Sequence, residues 1–147
     1  MLYLRPVDAK DVELLFTWAN DPDVRKHSFN TNKIIWEDHE KWFHKKILSD
    51  SIWLILQKED TPLGVIRFDL LENSFLLNYS IGKQFRGSGY GKKIIELGSE
   101  RLAKQNKKVN KIEAHVKTNN IASQKIFDSL GFEKVLLGDE YIFTREL

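Results

Sequence analysis

The sequence lacks cysteine altogether and holds only three prolines and one methionine among its 147 residues. Without cysteine there is no disulfide framework, no zinc site built on thiolates and no cysteine nucleophile, which excludes disulfide-stabilised secreted scaffolds and thiol enzymes. The four histidines are not spaced as metal ligands, so we expect no metal ion. This composition fits a reducing compartment, and we expect a cytoplasmic protein.

Charge of one sign and long apolar runs are also lacking. Lys and Arg number 23 against 21 Asp and Glu, a net charge of +2, which is too small to create the field that attracts nucleic acid. No segment approaches the roughly 18–20 apolar residues that span a bilayer, and the N-terminus does not have the apolar stretch of a signal peptide. We therefore expect neither a nucleic-acid partner nor a membrane partner.

What the sequence does have is the composition of a globular protein, with 41% apolar and 30% charged residues. A chain of this length corresponds to one domain, which we expect to cover residues 1–147. Periodicity predicts an α/β domain whose first half is largely antiparallel and which contains a strand-helix-strand crossover. The predicted elements are a strand near Leu2, helices at 12–19 and 36–47, strands at 52–57, 63–70 and 75–81, a helix behind residue 91, a strand at 111–116, a helix at 120–130 and a closing hairpin at 132–144, with a polar segment at 26–33.

A glycine-rich turn is the strongest functional signal. Gly87, Gly89 and Gly91 stand where a predicted strand leads directly into a predicted helix. Glycines there keep side chains away, so the backbone N–H groups at the helix N-terminus can point at one anion, and a phosphate fits. The spacing matches neither a Walker loop nor a dinucleotide fingerprint. A tight turn that needs glycine for its geometry alone is the alternative.

The stretch Arg86–Gly91, RGSGYG, has the R-x-x-G-x-G form and resembles the acyl-CoA pyrophosphate loop of the GNAT superfamily of N-acetyltransferases. About thirty residues on, the stretch 120–132 resembles that superfamily's N-x-x-A/S-x-x-x-Y-x-x-x-G-F segment. The resemblance implies the GNAT-type acyl-CoA N-acyltransferase fold, a mixed, mostly antiparallel central sheet with helices on both faces. It also implies acetyl-CoA as the co-substrate.

The same resemblance implies which residues bind acetyl-CoA. The strand before the turn is expected to splay from its neighbour and to pair with the pantetheine arm, and the turn is expected to hold the pyrophosphate. The residues so implied are Tyr79, Ser80 and Ile81 on the strand, Arg86, Gly87, Ser88, Gly89, Tyr90, Gly91 and Lys92 at the turn, and Asn120, Ser123 and Phe127 on the following helix.

The N-terminal half resembles one branch of this superfamily. Residues 16–25, FTWANDPDVR, and 39–43, HEKWF, are similar to stretches of the acetyltransferases that act on UDP-linked 4-amino sugars in the pseudaminic acid pathway. The resemblance implies a small-molecule amine acceptor, a nucleotide sugar. Enzymes that acetylate ribosomal-protein N-termini share part of the pattern, so a peptide acceptor stays open. The candidate acceptor-binding residues are Trp18, Asn20, Arg25, His39 and Trp42, with Lys26 beside Arg25 for a diphosphate.

Acetyl transfer to an amine requires a base, because only the neutral amine attacks. His115, on the polar face of a predicted strand, is the first candidate, and His39 on the second predicted helix is the rival. Each histidine has a structural alternative, since His115 can pair with Glu113 and His39 can pack against Trp42. The absence of cysteine favours direct transfer within a ternary complex.

One position departs from the superfamily. Its usual general acid is a tyrosine, and Phe127 stands at that position here. Ser123, Tyr90, Tyr141 or a water molecule could supply the proton instead, and a thiol with a pKa of about 8.5 can leave as a thiolate without one. A non-catalytic acyl-CoA-binding module is therefore an alternative function. The sequence leaves the oligomeric state open, a homodimer included.

Overall fold

The computed structural model describes residues 1–105 and 109–147 and follows the predicted order of strands and helices. Its elements are β1 (Leu2–Pro6), α1 (Val12–Ala19), α2 (Pro22–His27), α3 (Trp36–Ile47), β2 (Ile52–Lys58), β3 (Thr61–Leu70), β4 (Phe75–Ile81), α4 (Tyr90–Gln105), β5 (Lys111–Lys117), α5 (Ile121–Ser129), β6 (Glu133–Leu137) and β7 (Glu140–Glu146).

Helix α2 corrects the sequence analysis, which predicted no helix between those at 12–19 and 36–47. Pro22 occupies the first turn of α2, and the Asp21 side chain caps that turn by accepting a hydrogen bond of 2.9 Å from the Asp23 N–H. An aspartate followed by proline is a favourable helix start, so the signal was present in the sequence.

The seven strands form one sheet in the order β1-β2-β3-β4-β5-β7-β6. All neighbours are antiparallel except β4 and β5, which are parallel and are joined by the crossover that contains α4. In the described part of the chain, β4 and β5 pair only through Phe75 with Ile112 and Leu76 with Glu113. The two strands therefore diverge beyond Leu76 and open a gap in the middle of the sheet.

Helices cover both faces of the sheet, as the resemblance implied. Strand β2 has buried residues on both sides, with Leu54 and Leu56 in the core under α4 and α5, and Trp53 and Ile55 in the core under α1 and α3. Helix α4 approaches the sheet closely at Gly98, where a Cβ would lie 3.0 Å from the Ile66 side chain. No helix within 1–105 and 109–147 is long and apolar enough to cross a membrane.

Candidate active site

The gap between β4 and β5 leaves backbone groups of β4 without a strand partner on one side. The Gly82 N–H donates a 2.8 Å hydrogen bond to the Leu63 carbonyl, and the antiparallel alternation makes Ser80 with Val65 the next hydrogen-bonded pair. Both backbone groups of Tyr79 and the carbonyl of Leu77 consequently point into the gap, whereas the Leu77 N–H belongs to the last bridge of β4 with Glu113. The expectation of free backbone groups at Ser80 is wrong, because its backbone faces Val65.

The glycine-rich turn has the geometry of an anion site. Gly87 and Gly89 have φ angles of 81° and 84°, a left-handed conformation that side chains disfavour. The first helical hydrogen bond of α4 runs from the Lys93 N–H to the Gly89 carbonyl at 3.2 Å, so the N–H groups of residues 90–92 have no carbonyl of their own helix to bind. A Cβ at Gly87 or Gly89 would meet no protein atom within 4 Å, and the space in front of these donors is open.

Arg86 does not direct its charge at this space. Its Nε donates to the Ile81 carbonyl at 3.0 Å, and its terminal nitrogens lie 3.3 Å from carboxylate oxygens of Asp21 and Asp23. Against the effect of burial, the hydrogen bond from the Asp23 N–H and the Arg86 cation hold the pKa of Asp21 below its usual value. Arg86 thus has a positioning role, in which it fixes the turn to α2 and engages the Ile81 carbonyl, and its contact with the cofactor stays a prediction.

A groove of about 840 Å³ runs from the glycine-rich turn along the gap to α5. It brings together nearly all of the residues predicted to bind the cofactor, while Ser88 lies at an exposed tip outside the lining. Its other wall is α2 with the residues after it, including His27 and Phe29, which the sequence analysis did not include. The predicted residues that line the groove are Tyr79, Ser80, Ile81, Arg86, Gly87, Gly89, Tyr90, Gly91, Lys92, Asn120, Ser123 and Phe127.

The start of α5 contributes polar atoms to the groove. Asn120 caps the helix, its side-chain oxygen accepting from the Ser123 N–H at 3.2 Å. The Ser123 hydroxyl is hydrogen-bonded to the Tyr79 hydroxyl at 2.7 Å. Burial raises the pKa of Tyr79 above its usual value, so the phenol keeps its proton at neutral pH.

Phe127 lies one helical turn below Ser123 and is 1% exposed. Its ring packs against Phe132 and Phe143, with centroids 5.0 and 5.1 Å away, and against Tyr79 at 6.0 Å. The hydroxyls beside the position of the superfamily's tyrosine are therefore those of Tyr79 and Ser123. The sequence analysis missed the Tyr79 hydroxyl, although strand alternation puts it on the same face as Leu77 and Ile81. Tyr141 does not line the groove.

His115 lies on β5, the strand on the other side of the gap from β4. Its Nε2 is 2.7 Å from a Glu113 oxygen and its Nδ1 is 3.4 Å from a Glu140 oxygen, and 32% of its side chain is exposed. The hydrogen bonds from Ser74 and His115 lower the pKa of Glu113. Since Leu76 pairs with Glu113, the parallel register continued by two residues sets His115 opposite Asn78 across the gap.

His39 occupies a different environment, because only 3% of it is exposed. Its Nε2 lies 2.9 Å from the Val12 carbonyl, so Nε2 carries the ring proton. Burial lowers the pKa of His39, with the hydrogen bond to Val12 opposing that effect. A histidine that is buried and neutral in this way links α1 to α3, and the proposal that it is the catalytic base is set aside.

A second cavity, of about 460 Å³, lies on the opposite face of β4. It is lined by aromatic residues of α1, α3 and β2, among them Trp18, Trp42 and Trp53, and Trp42 is 40% exposed. Asn78, Tyr79 and Ser80 line both this cavity and the groove. The two spaces therefore meet at β4, beside the gap.

Two residues predicted to bind the acceptor are engaged within the protein instead. The Asn20 side chain accepts from the Ile34 N–H at 2.7 Å and donates to the Ile34 carbonyl at 2.9 Å. The Arg25 guanidinium donates to the carbonyls of Ala19 and Asn30 and to the Ser28 hydroxyl at 2.7–3.1 Å. Both residues hold the segment 20–34 in place, so most of the Arg25 donors are already used within the protein.

Comparisons with known proteins agree with this geometry. The family described as "Acetyltransferase (GNAT) domain" matches residues 1–133. The chain is 28% identical over 145 residues to the uncharacterized protein MJ1062 of Methanocaldococcus jannaschii, covering 95% of this chain but 29% of that protein. It is 28% identical over 130 residues to the acetyltransferase PseH of Campylobacter jejuni, covering 86% and 79% of the two chains. Spermidine N-acetyltransferase from Vibrio cholerae, solved with CoA and spermine, has a similar fold, with a TM-score of 0.85 at 15% identity over 99% of this chain and 95% of that one.

Proposed function

This chain belongs to the acetyltransferase (GNAT) domain family, and we propose that it acetylates the primary amine of a small molecule, the 4-amine of a nucleotide-linked amino sugar. It is an acyltransferase that takes its acetyl group from acetyl-CoA. The observation that carries the proposal is the meeting of the groove and the second cavity at residues 78–80 of β4. Acetyl-CoA enters from one face of the sheet and the acceptor from the other, so the reacting atoms come together at the gap.

The donor is held mainly by backbone groups. Its pyrophosphate binds at Gly87 and Gly89, in front of the free N–H groups of the first turn of α4, where the helix dipole favours an anion. The amide N–H groups of the pantetheine arm donate to the Leu77 and Tyr79 carbonyls in the gap, as an added strand would. Asn120 borders the arm at the start of α5.

The chemical step is a direct attack of the amine on the thioester carbonyl. The carbonyl oxygen becomes an oxyanion that the Tyr79 N–H stabilises, since this donor points into the gap and is fixed by the sheet. A C–N bond forms, the C–S bond breaks, and CoA leaves as a thiolate that takes up a proton. The Tyr79 and Ser123 hydroxyls are the proton donors of the chain that border the groove where the superfamily has its tyrosine.

The amine must lose a proton in the same process. The Nδ1 atom of His115 accepts it, directly or through a water molecule, because Nε2 already donates its proton to Glu113 and the side chain is partly exposed beside the gap. Its contacts with Glu113 and Glu140 fix the orientation of the imidazole ring. A hydrogen-bonded, oriented histidine of this kind is the usual form of a general base.

The acceptor occupies the second cavity. Trp18 and Trp42 offer flat apolar faces on which a sugar or a base can stack. The similarity to PseH over 86% of this chain supports an amino-sugar acceptor. The absence of cysteine favours a cytoplasmic location, and the oligomeric state stays a prediction.

An acceptor screen with labelled acetyl-CoA tests the proposal. We expect product with a UDP-linked 4-amino sugar at a kcat/KM at least about tenfold above that with N-terminal peptides or polyamines. Preference for a peptide or a polyamine would contradict the amino-sugar acceptor, but it would still agree with an acetyltransferase activity. Binding of acetyl-CoA without product from any amine would indicate a non-catalytic acyl-CoA-binding module.

A further inference from the structure

An arginine lies inside the second cavity, which we call the acceptor cavity, in a position that the sequence motifs do not include. Arg67 projects from β3 with its guanidinium carbon 5.2 Å from the centre of the Trp42 ring and 5.9 Å from that of Trp53. Only 20% of its side chain is exposed. A cation that rests on two indole faces is held in place and is partly desolvated, which strengthens its interaction with any anion that reaches it.

The bonding of Arg67 leaves donors for a ligand. Its Nε donates to an Asp69 oxygen at 3.0 Å, and Lys46 lies 3.3 Å from the other oxygen of the same carboxylate. Two cations therefore share one anion, and the group keeps a net charge of +1. Within 1–105 and 109–147, the hydrogen bonding of Arg67 to protein runs through Nε alone, so its two terminal amino groups are available in the fork geometry that fits a carboxylate or phosphate.

The strand registers place this arginine relative to the reaction centre. Trp53 pairs with Arg67 on β3, and Arg67 pairs with Asn78 on β4. Trp53, Arg67 and Asn78 thus lie side by side on neighbouring strands, and His115 is the next residue in this line, on the other side of the gap. Since paired strands are about 4.8 Å apart and β4 and β5 have diverged at this level, the backbones of Arg67 and His115 are more than about 10 Å apart, with the gap between them.

The other charges at this cavity do not cancel that of Arg67. Asp38 also lines the cavity, but it is exposed to solvent. The guanidinium of Arg25 lines it too, with its donors bound to Ala19, Asn30 and Ser28. Among the described residues of the lining, Arg67 is thus the cation whose two terminal amino groups are both without a protein hydrogen bond.

We propose that Arg67 binds a negatively charged group of the acceptor, a phosphate or a carboxylate, while the acceptor's amine lies at the gap beside His115. This inference rests on the proposed function, because it takes this cavity to be the acceptor site. It narrows the substrate class to amines that bear an anion. A cationic acceptor such as a polyamine would bring positive charge against a partly buried guanidinium, which disfavours it.

Binding of UDP and of uridine to the CoA-loaded protein tests the phosphate arm, measured by calorimetry. Arg67→Gln is expected to raise the Kd for UDP by about tenfold to a hundredfold, the value of losing a charged hydrogen-bond pair. The Kd for uridine, which has no phosphate, is expected to stay within about twofold. Lys46→Gln is the matched control, because it removes the other cation at Asp69 and does not line the cavity. Arg67→Lys keeps the charge without the fork and is expected to fall between the wild type and Arg67→Gln.

Turnover with an amino acid and with its amide tests the carboxylate arm. Loss of discrimination between the two in Arg67→Gln, through a fall in kcat/KM for the amino acid that is larger than the fall for its amide, would identify a carboxylate as the bound group. The proposal is overturned if Arg67→Gln changes neither the binding of UDP and uridine nor the turnover of the amino acid and its amide. It is also overturned if the variant weakens the charged and the uncharged member of each pair equally. Failure of the proposed function looks different, since Arg67-dependent binding of UDP would persist while no amino sugar is acetylated.

Discussion

The donor groove and the acceptor cavity lie on opposite sides of the same strand, β4, and they are built in different ways. The groove presents backbone groups: left-handed glycines, the N–H groups of a helix start, and the unpaired edge of a strand. The cavity presents side chains, chiefly Trp42, Trp53 and Arg67. A site made of backbone depends on local conformation, whereas a site made of side chains depends on which residues the sheet brings together. The two sides should therefore respond to different substitutions.

The largest effect of a substitution is expected where the donor groove and the acceptor cavity meet. His115→Ala should lower kcat about a hundredfold, because a positioned base acts in the transition state. It should leave the Kd for acetyl-CoA within about twofold, as expected for a group that contributes little to ground-state binding. Steady-state kinetics and calorimetry measure the two quantities.

His44→Ala is the control for that substitution, since His44 is exposed on α3 and does not line either cavity. A His115→Ala protein with full activity would leave the amine to be deprotonated by solvent. A loss confined to acetyl-CoA affinity would instead make His115 part of the donor groove, and it would then not act where the groove and the cavity meet.

The next effect tests whether the donor side is a backbone site. Gly89→Val should weaken acetyl-CoA binding at least about tenfold, because a side chain would occupy the space in front of the helix start and would disfavour the left-handed backbone. Calorimetry measures the Kd. Uridine or UDP binding in the acceptor cavity should be unchanged.

Gly138→Val is a close control for Gly89→Val. Gly138 also has a positive φ, 64°, and a Cβ added there would likewise meet no protein atom within 4 Å, but it lies in the turn between β6 and β7. Both variants should lose similar stability, and only Gly89→Val should lose acetyl-CoA affinity. Equal affinities for the two variants would remove the pyrophosphate from the glycine-rich turn.

A smaller effect on stability is expected at His39. Replacing it by Leu removes the hydrogen bond to the Val12 carbonyl, which should lower the free energy of unfolding by about 1–3 kcal/mol. His39 is part of the wall of the second cavity, but it is 3% exposed and its Nε2 is bound to Val12, so kcat at neutral pH should stay within about twofold. A kcat that falls as far as in His115→Ala would restore His39 as the base.

The same residue gives a pH dependence with a defined sign. Burial lowers the pKa of His39 in the folded protein below its ordinary value of 6.5. As pH falls below 6.5, the unfolded chain takes up a proton at this position and the folded chain does not, so stability is lost until the lowered folded pKa is reached. Denaturant unfolding between neutral and acidic pH should show that the free energy of unfolding falls less steeply with pH in His39→Leu than in the wild type. Identical slopes would mean that His39 is not held neutral.

The sequence could predict the donor side because its features are local. The glycines at 87 and 89 and the helix start behind them are adjacent in the chain, and Asn120 caps a helix that the apolar pattern predicts. Arg86 belongs to the same motif, but its ion pairs could not be predicted, because its partners Asp21 and Asp23 lie at the start of a helix that the sequence analysis did not include.

The acceptor side could not be predicted in the same way, and a β-bulge explains part of the reason. The tight turn pairs Lys58 with Thr61, and continuing that register would set Trp53 opposite Ile66. A register shift between Leu56 and Gln57 pairs Trp53 with Arg67 instead. Since a shift of one residue moves every side chain to the other face, only the folded sheet shows that Arg67 faces the cavity.

The smallest effect is expected at Phe127, where the chain departs from its superfamily. Phe127→Tyr should change kcat by less than about threefold, because Tyr79 and Ser123 already place hydroxyls beside this position and a thiol leaves readily. Since Phe127 is 1% exposed among Phe132 and Phe143, the added oxygen should also cost about 1–3 kcal/mol of stability.

Tyr79→Phe and the double substitution Tyr79→Phe with Phe127→Tyr make this last prediction decisive. If the Tyr79 hydroxyl protonates the thiolate, Tyr79→Phe should lower kcat by about tenfold or more, and the double variant should recover activity because a hydroxyl returns on the neighbouring ring, 6.0 Å away. Acetyl-CoA affinity should change little in all three proteins, since the Tyr79 backbone is kept. A gain of about tenfold in Phe127→Tyr alone would mean that the natural site has no effective acid, and the difference between groove and cavity would then include a missing catalytic group on the donor side.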